Sequence, residues 1–63
     1  MQFRNKFVLT INVGNSSFDG RMGEKEVARL LREAAEKFES GIQSSKLYDF
    51  NGNYVGEFEL TGD

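Results

Sequence analysis

The sequence has 63 residues, with eight Lys or Arg, ten Asp or Glu, a formal net charge of −2, and no Cys, His or Pro. A chain of this length builds one hydrophobic core, so we expect a single domain over residues 1–63. The missing residue types exclude disulfides, thiolate or imidazole metal sites and histidine-based catalysis. The mildly acidic balance gives no basic footprint for a nucleic acid, and we expect no cofactor.

The first predicted element is a strand over residues 3–13. Polar and apolar side chains alternate here with period two, which is typical of a half-buried strand. The side chains expected to face the core are Phe3, Phe7, Leu9, Ile11 and Val13. The side chains expected on the opposite face include Arg4, Lys6, Val8 and Thr10.

A glycine- and serine-rich loop is predicted over residues 14–23, with Phe18 and Met22 as apolar anchors beneath it. A loop of this kind between a strand and a helix can cradle a phosphate. The phosphate-loop motif G-x-x-x-x-G-K-[ST] is missing, however, and Glu24 and Glu26 would place negative charge where the anion should bind. An ordinary connecting loop is therefore favoured.

An amphipathic helix is predicted over residues 24–39, because apolar side chains recur there with the spacing of one helix face. Glu24 and Glu26 are expected in its first turn, where the helix dipole favours anions. Gly41 is expected to be the left-handed residue that ends the helix. The apolar stripe consists of Val27, Leu30, Leu31, Ala34, Ala35 and Phe38.

A β-hairpin is predicted over residues 45–60, because Asn-Gly between two β-rich runs is a strong hairpin signal. Two registers remain open. A two-residue turn at 51–52 would pair Leu47 with Gly56, whereas a four-residue type I turn followed by a glycine bulge would pair Leu47 with Val55. The two registers differ in which side chains share a face.

The elements follow the order β-α-β-β, which predicts an α+β domain with one helix packed on one face of a three-stranded, mostly antiparallel sheet. The last strand is expected in the middle, antiparallel to both others, with the helix as a right-handed crossover between the first two strands. The helix is expected to pack through Val27, Leu30, Leu31, Ala34 and Phe38 onto Phe7, Leu9, Ile11, Phe58 and Leu60.

One segment of the hairpin is similar to a calcium-binding motif. Asp49, Asn51 and Asn53 spell D-x-N-x-N, like the start of an EF-hand loop. In such a loop a glycine belongs at the sixth position and a bidentate Glu at the twelfth, whereas here Gly52 stands fourth and Leu60 twelfth. A turn without a metal is therefore the favoured interpretation.

The remaining groups do not form a catalytic set. Serine and tyrosine hydroxyls are present, but no His can act as their base, and neighbouring Ser45 and Lys46 face opposite sides of a strand. Glu57 and Glu59 share a strand face, where two exposed carboxylates ordinarily solvate the sheet. We expect a protein without enzymatic activity.

The sheet face that the helix leaves open is the candidate interaction face. We expect it to bind a protein, either a second copy of the chain or another partner, through this face or through a strand edge. The alternative is a small nucleic-acid binder that stacks bases on the same face, against which stand Glu57, Glu59 and the negative net charge. The candidate residues are Arg4, Lys6, Val8, Thr10, Lys46, Tyr48, Phe50 and Val55, the last three depending on the hairpin register.

Four short patterns run along the chain: F-x-L-x-I at 7–11, N-x-x-F at 15–18, E-x-x-R-L-L-R-E-A-A at 26–35, and L-x-D-x-N-G-N-x-V-G-x-x-x-L at 47–60. In these patterns the sequence resembles a group of short open reading frames of tailed bacteriophages and prophages. The resemblance implies a phage accessory protein that binds host proteins, including components of defence systems.

The same resemblance places the protein in the cytoplasm of the bacterial host. The chain has no apolar stretch near the roughly 20 residues that span a bilayer and no pattern of a secretion signal, which also favours the cytoplasm. Some members of the phage group carry a label for DNA breaking and rejoining. That chemistry needs a nucleophile surrounded by several cations on a protein large enough to grip DNA, and this sequence does not offer them.

Overall fold

The computed structural model describes residues 5–62, so Arg4 of the candidate face lies outside the described residues. The element order is β-α-β-β, and the α+β fold predicted from the sequence is confirmed. A single turn of 3₁₀ helix, which was not predicted, precedes the α-helix. The elements are β1 (Asn5–Ile11), the 3₁₀ turn (Ser16–Phe18), α1 (Gly20–Glu39), β2 (Ser44–Tyr48) and β3 (Tyr54–Gly62).

The three strands form one antiparallel sheet in the order β1-β3-β2, as predicted. The central strand β3 pairs with β1 through Leu9 opposite Phe58, and with β2 through Leu47 opposite Gly56. Alternation along β3 places Phe58 on the helix side of the sheet and its neighbours Glu57 and Glu59 on the open side. Strands β1 and β2 are therefore the two edges of the sheet.

The hairpin combines both of the registers that the sequence left open. Gly52 has φ 84° and donates its N–H to the Asp49 carbonyl at 2.9 Å, which makes a four-residue turn with Tyr48 opposite Tyr54. The next pair is nevertheless Leu47 with Gly56, the pairing of the two-residue turn. One residue of β3, Val55, is therefore extra in the ladder, and such a β-bulge changes the faces of the residues beside it.

The α-helix begins at Gly20, four residues earlier than predicted, so residues 20–23 are helical and not part of the loop. The cause is the close packing of the 3₁₀ turn on the first helical turn. A Cβ atom at Gly23 would lie 2.0 Å from the Phe18 carbonyl oxygen, so this helical position requires glycine. Glu24 and Glu26 consequently lie beyond the first turn, and their predicted role at the helix N-terminus is wrong.

The end of the helix is as predicted. Gly41 has φ 104° and donates its N–H to the Phe38 carbonyl at 3.1 Å, and Ile42 donates to the Lys37 carbonyl at 3.0 Å. These two bonds form a Schellman motif, which satisfies carbonyls that the helix leaves without partners.

The core is smaller than predicted. Its buried apolar residues are Leu30, Ala34, Leu47, Val55 and Phe58, with Leu9, Ile11 and Phe18 partly buried against them. The predicted core members Phe7, Leu31 and Phe38 are 45%, 47% and 39% exposed, and the predicted loop anchor Met22 is 59% exposed. The helix therefore buries only part of its apolar stripe.

We predict that Gly56→Ala destabilises the fold by about 2 kcal/mol or more, because forcing atoms into a filled site typically costs 1–3 kcal/mol. A Cβ at this position would lie 2.0 Å from the Thr10 carbonyl oxygen and 3.0 Å from the Ile11 Cα, both backbone atoms that cannot move aside cheaply. Urea unfolding followed by circular dichroism measures the change. The matched control is Gly14→Ala, where the new Cβ meets only the Asn12 side chain at 3.1 Å. Equal stability of the two variants would contradict this account.

Candidate interaction surface

The open face of the sheet carries most of the residues predicted for it. Lys6, Val8 and Thr10 of β1, and Lys46 and Tyr48 of β2, are all exposed to solvent. Between them lies the outward side of β3, where Glu57 stands opposite both Thr10 and Lys46, and Glu59 opposite Val8 and Ser44. The face is therefore mixed, because it carries two lysines, two carboxylates and several apolar side chains.

Two predicted members of this face lie elsewhere. Val55 is 5% exposed and belongs to the hydrophobic core, so its placement on the open face is wrong. The β-bulge turns Val55 towards the helix, whereas plain alternation from Phe58 would have turned it outwards. Phe50 lies in the hairpin turn between β2 and β3, where its side chain is 55% exposed.

Tyr54 takes the place on the open face that had been assigned to Val55. Its ring lies 6.2 Å from the Tyr48 ring between centroids, and the Lys46 Nζ atom lies 5.6 Å from its centroid, within cation–π range. The Tyr54 hydroxyl donates to the Glu57 carboxylate, and this hydrogen bond raises the pKa of Tyr54. A cluster of two tyrosines, a lysine and a glutamate thus stands at one end of the face.

On the other side of the sheet, polar side chains of α1 hold the helix against β2 and the hairpin. Arg29 donates to the Tyr48 carbonyl at 3.0 Å, and the Glu26 carboxylate accepts the Phe50 backbone N–H at 2.8 Å. Lys37 donates to the Ser45 hydroxyl at 3.1 Å. Because these contacts all lie on one flank of α1, the helix backbone approaches β2 more closely than β1.

Glu26 is the central residue of this attachment. Its side chain is only 6% exposed, and both carboxylate oxygens accept hydrogen bonds from Arg29 at 2.7 Å. The hydrogen bond from Arg29 lowers the pKa of Glu26, which burial alone would raise, and the Phe50 N–H adds to the lowering. The buried carboxylate therefore stays ionised, and its partners are fixed by the need to compensate its charge.

The other flank of α1 leaves an apolar groove beside β1. The Phe7 ring packs on Phe38 with 5.1 Å between centroids and on Phe58 with 5.6 Å, yet Phe7 and Phe38 remain largely exposed. The groove has a volume of about 350 Å³, and within the described part of the chain its lining is entirely apolar. We call it the β1 groove, and its lining residues are Phe7, Leu9, Leu31, Ala34, Ala35 and Phe38.

The sequence predicted the open face and the strand edges as uncovered surface, but it did not predict the apolar groove between α1 and β1. The groove arises because the helix is held over β2 by side chains that look like ordinary surface charges in the sequence. Glu26 and Arg29 are three residues apart, as on any solvated helix face, and their partners Tyr48 and Phe50 offer only backbone atoms. Contacts with backbone atoms leave no residue-type signal in a sequence.

A buried polar cluster joins the hairpin turn to the loop after β1. Asp49 is 4% exposed, and its carboxylate accepts hydrogen bonds from the side chains of Asn15, Ser17 and Asn53 and from the backbone N–H groups of Asn51 and Asn53. Burial raises the pKa of Asp49, but these donors together outweigh it and lower the pKa to about 2. The D-x-N-x-N segment therefore forms a turn, as predicted.

Comparisons with protein-family models, with curated protein sequences and with solved structures found no match. Along residues 5–62, no helix has both the length and the apolar character needed to cross a bilayer.

We predict that Asp49→Asn lowers the melting temperature by about 5 °C or more, on the scale at which domains of this size respond to a lost buried contact. An amide would turn an N–H₂ group towards the side-chain amides of Asn15 or Asn53, which are themselves donors. Because the folded pKa of Asp49 lies below its ordinary 3.8, its contribution to stability is present above about pH 4 and is lost as the pH falls towards 2. Urea midpoints between pH 7 and pH 2 should show this loss in the wild type.

The matched control for this substitution is Asp19→Asn, at an exposed carboxylate that makes no side-chain capping hydrogen bond. We expect Asp19→Asn to keep the stability and the acid response of the wild type. If Asp49→Asn behaved like Asp19→Asn in both respects, the polar cluster would not stabilise the hairpin.

Proposed function

We propose that this chain is a non-enzymatic protein that acts by binding another protein chain. The observation that supports this most strongly is the distribution of apolar side chains. Among the described residues the core contains five buried apolar residues, whereas ten large apolar residues are at least 39% exposed. A domain this small is marginally stable by itself, and a partner that covers such side chains would contribute the missing burial.

Two surfaces offer these side chains. The open face presents Val8, Tyr48 and Tyr54, which are 43%, 45% and 53% exposed. The β1 groove presents Phe7 and Phe38 beside an edge strand. Aromatic side chains on a rigid sheet are the residue type that dominates binding energy in protein interfaces.

The class of partner follows in part from the resemblance to short phage and prophage reading frames. It favours a partner in the cytoplasm of a bacterial host: a host protein, such as a component of a defence system, a phage protein, or a second copy of the chain. The groove without charged side chains suits an apolar surface of such a partner. The open face suits a partner with charges of both signs.

Binding is favoured over catalysis by the state of the polar groups. The Ser17 hydroxyl donates to the buried Asp49 carboxylate at 2.9 Å, and Asn51 donates to the same hydroxyl at 3.3 Å. These polar groups already hydrogen-bond to one another within the buried polar cluster. The chain also contains no imidazole that could activate a nucleophile.

A nucleic acid is the competing partner, because Tyr48, Tyr54 and Lys46 form an aromatic and cationic cluster of the type that stacks bases. Glu57 stands directly opposite Lys46, and its carboxylate accepts a hydrogen bond from the Tyr54 hydroxyl. Glu59 lies two residues further along the same strand. These carboxylates oppose a phosphate backbone at the place where the stacking would occur.

We expect light scattering coupled to size-exclusion chromatography to give a mass above the 7.1 kDa of one chain at high concentration, or affinity capture from bacterial lysate to retain a protein that excess untagged chain displaces. Displacement by the untagged chain is the control for specific binding. A strict monomer that retains no displaceable protein would contradict the proposal.

We expect no binding to fluorescein-labelled single- or double-stranded DNA at low salt, where electrostatic attraction is strongest, because of the carboxylates on the open face. Fluorescence anisotropy measures this directly. The matched variant is Glu57→Gln with Glu59→Gln, which removes two negative charges. Saturable binding by the wild type would favour the nucleic-acid alternative, whereas binding by the variant alone would agree with the repulsion described here.

A further inference from the structure

Among residues 5–62, no group donates to or accepts from the outward backbone groups of the sheet edge beside the β1 groove. Successive residues of an antiparallel strand direct their N–H and C=O groups to opposite sides. Asn12 donates to the Val55 carbonyl at 2.7 Å, which sets the alternation so that even-numbered residues of β1 bond to β3. The backbone groups of Asn5, Phe7, Leu9 and Ile11 therefore face outwards.

The β1 edge lacks the features by which proteins usually protect an exposed strand. It has seven residues, about 24 Å of strand, with no Pro, no bulge and one charged side chain, Lys6. The opposite edge is better protected, because β2 has five residues and its Tyr48 carbonyl already accepts a hydrogen bond from Arg29. The available backbone edge and the apolar groove thus lie on the same side of the molecule.

We propose, as a specific form of the binding function above, that β1 pairs antiparallel with β1 of a second copy of this chain. A two-fold axis through Val8 would place Phe7 opposite Leu9 and Asn5 opposite Ile11 of the second copy, and these are the residues whose backbone groups face outwards. Lys6 would lie opposite Thr10, so that no like charges meet. The strand is therefore complementary to itself in length, hydrogen bonding and charge.

This pairing makes one six-stranded sheet in which both helices lie on the same face. An axis perpendicular to the sheet keeps each face on its own side, so the two β1 grooves meet across the central pair of strands. Leu31, Ala35 and Phe38 of each copy would then cover the exposed Phe7 side chain and the partly buried Leu9 side chain. The apolar lining of the groove is complementary to the same groove of a second copy, whereas it offers no hydrogen-bond or charge partner to a polar surface.

The size of this surface agrees with a dimer of moderate affinity. A standard interface takes about 800 Å² from each partner, which is about a sixth of the 4941 Å² surface of one chain. The proposed contact consists of one seven-residue strand pair and two facing grooves, and we expect it to dissociate in the micromolar range.

The test uses Ala35→Glu, which puts a charge on the helix flank that forms the groove and retains a good helix former at an exposed position. We expect it to raise the dissociation constant of the dimer at least tenfold, measured by sedimentation equilibrium, with the far-ultraviolet circular dichroism of the wild type. Lys25→Gln changes the net charge by the same amount on the exposed side of α1 and should leave the dimer intact. Tyr48→Lys, on the open face, should also leave it intact.

A second measurement reads the backbone directly. In the dimer the amides of Phe7 and Leu9 should exchange hydrogen more slowly at high protein concentration than at low concentration, and Ala35→Glu should abolish the difference. A dimer broken by Tyr48→Lys but not by Ala35→Glu would overturn this inference and leave the proposed binding function standing. A chain that stays monomeric at millimolar concentration, with fast exchange at Phe7 and Leu9, would overturn the inference even where a foreign partner is captured.

Discussion

The attachment of α1 to β2 through Glu26 and Arg29 determines which surfaces of this protein remain uncovered. A carboxylate that is 6% exposed must have its charge compensated, and Arg29 and the Phe50 N–H supply that compensation. The Phe50 N–H, which donates to Glu26, and the Tyr48 carbonyl, which accepts from Arg29, lie on the β2 side of the sheet and hold the helix there. Apolar packing is non-directional and does not by itself determine where the stripe of α1 lies over the sheet. The polar contacts fix the position of α1 on the β2 side of the sheet, and the helix therefore covers β1 only in part.

The hairpin contributes a second constraint of the same kind. The Asp49 carboxylate collects donors from the turn and from the loop after β1, and so connects two segments that are more than 30 residues apart in the chain. The bulge at Val55 then reconciles a four-residue turn with the pairing of Leu47 and Gly56. It also brings a β-branched side chain into the core and puts Tyr54 outside. The composition of both sheet faces thus depends on one extra residue in the ladder.

Most of the fold could be predicted from the sequence, because strand alternation, the helical stripe and the Asn-Gly turn are local signals. The order of the elements, the central position of β3 and the end of α1 at Gly41 follow from them. The start of α1 could not be read, since Gly20 and Gly23 resemble loop residues and the reason for Gly23 is a contact with the Phe18 carbonyl. Of the residues predicted for the open face, Val55 lies in the core and Phe50 in the hairpin turn, because the β-bulge changes the alternation of β3. The β1 groove depends on contacts to backbone atoms, for which the sequence carries no residue-type signal.

A small chain that exposes aromatic side chains must either tolerate their contact with water or cover them with a partner. A partner strand could cover Phe7, Leu31 and Phe38 without a rearrangement of this chain, because the edge strand beside them presents backbone groups that can pair with it. Each such group buried without a partner would cost free energy, so an occupant of the groove must also complete the ladder of β1. An extended strand meets both needs at once, and a helix or a small molecule meets only the first. The nature of the edge therefore favours the proposed partner, a β-strand with an apolar inner face and few charges, as in β1 itself.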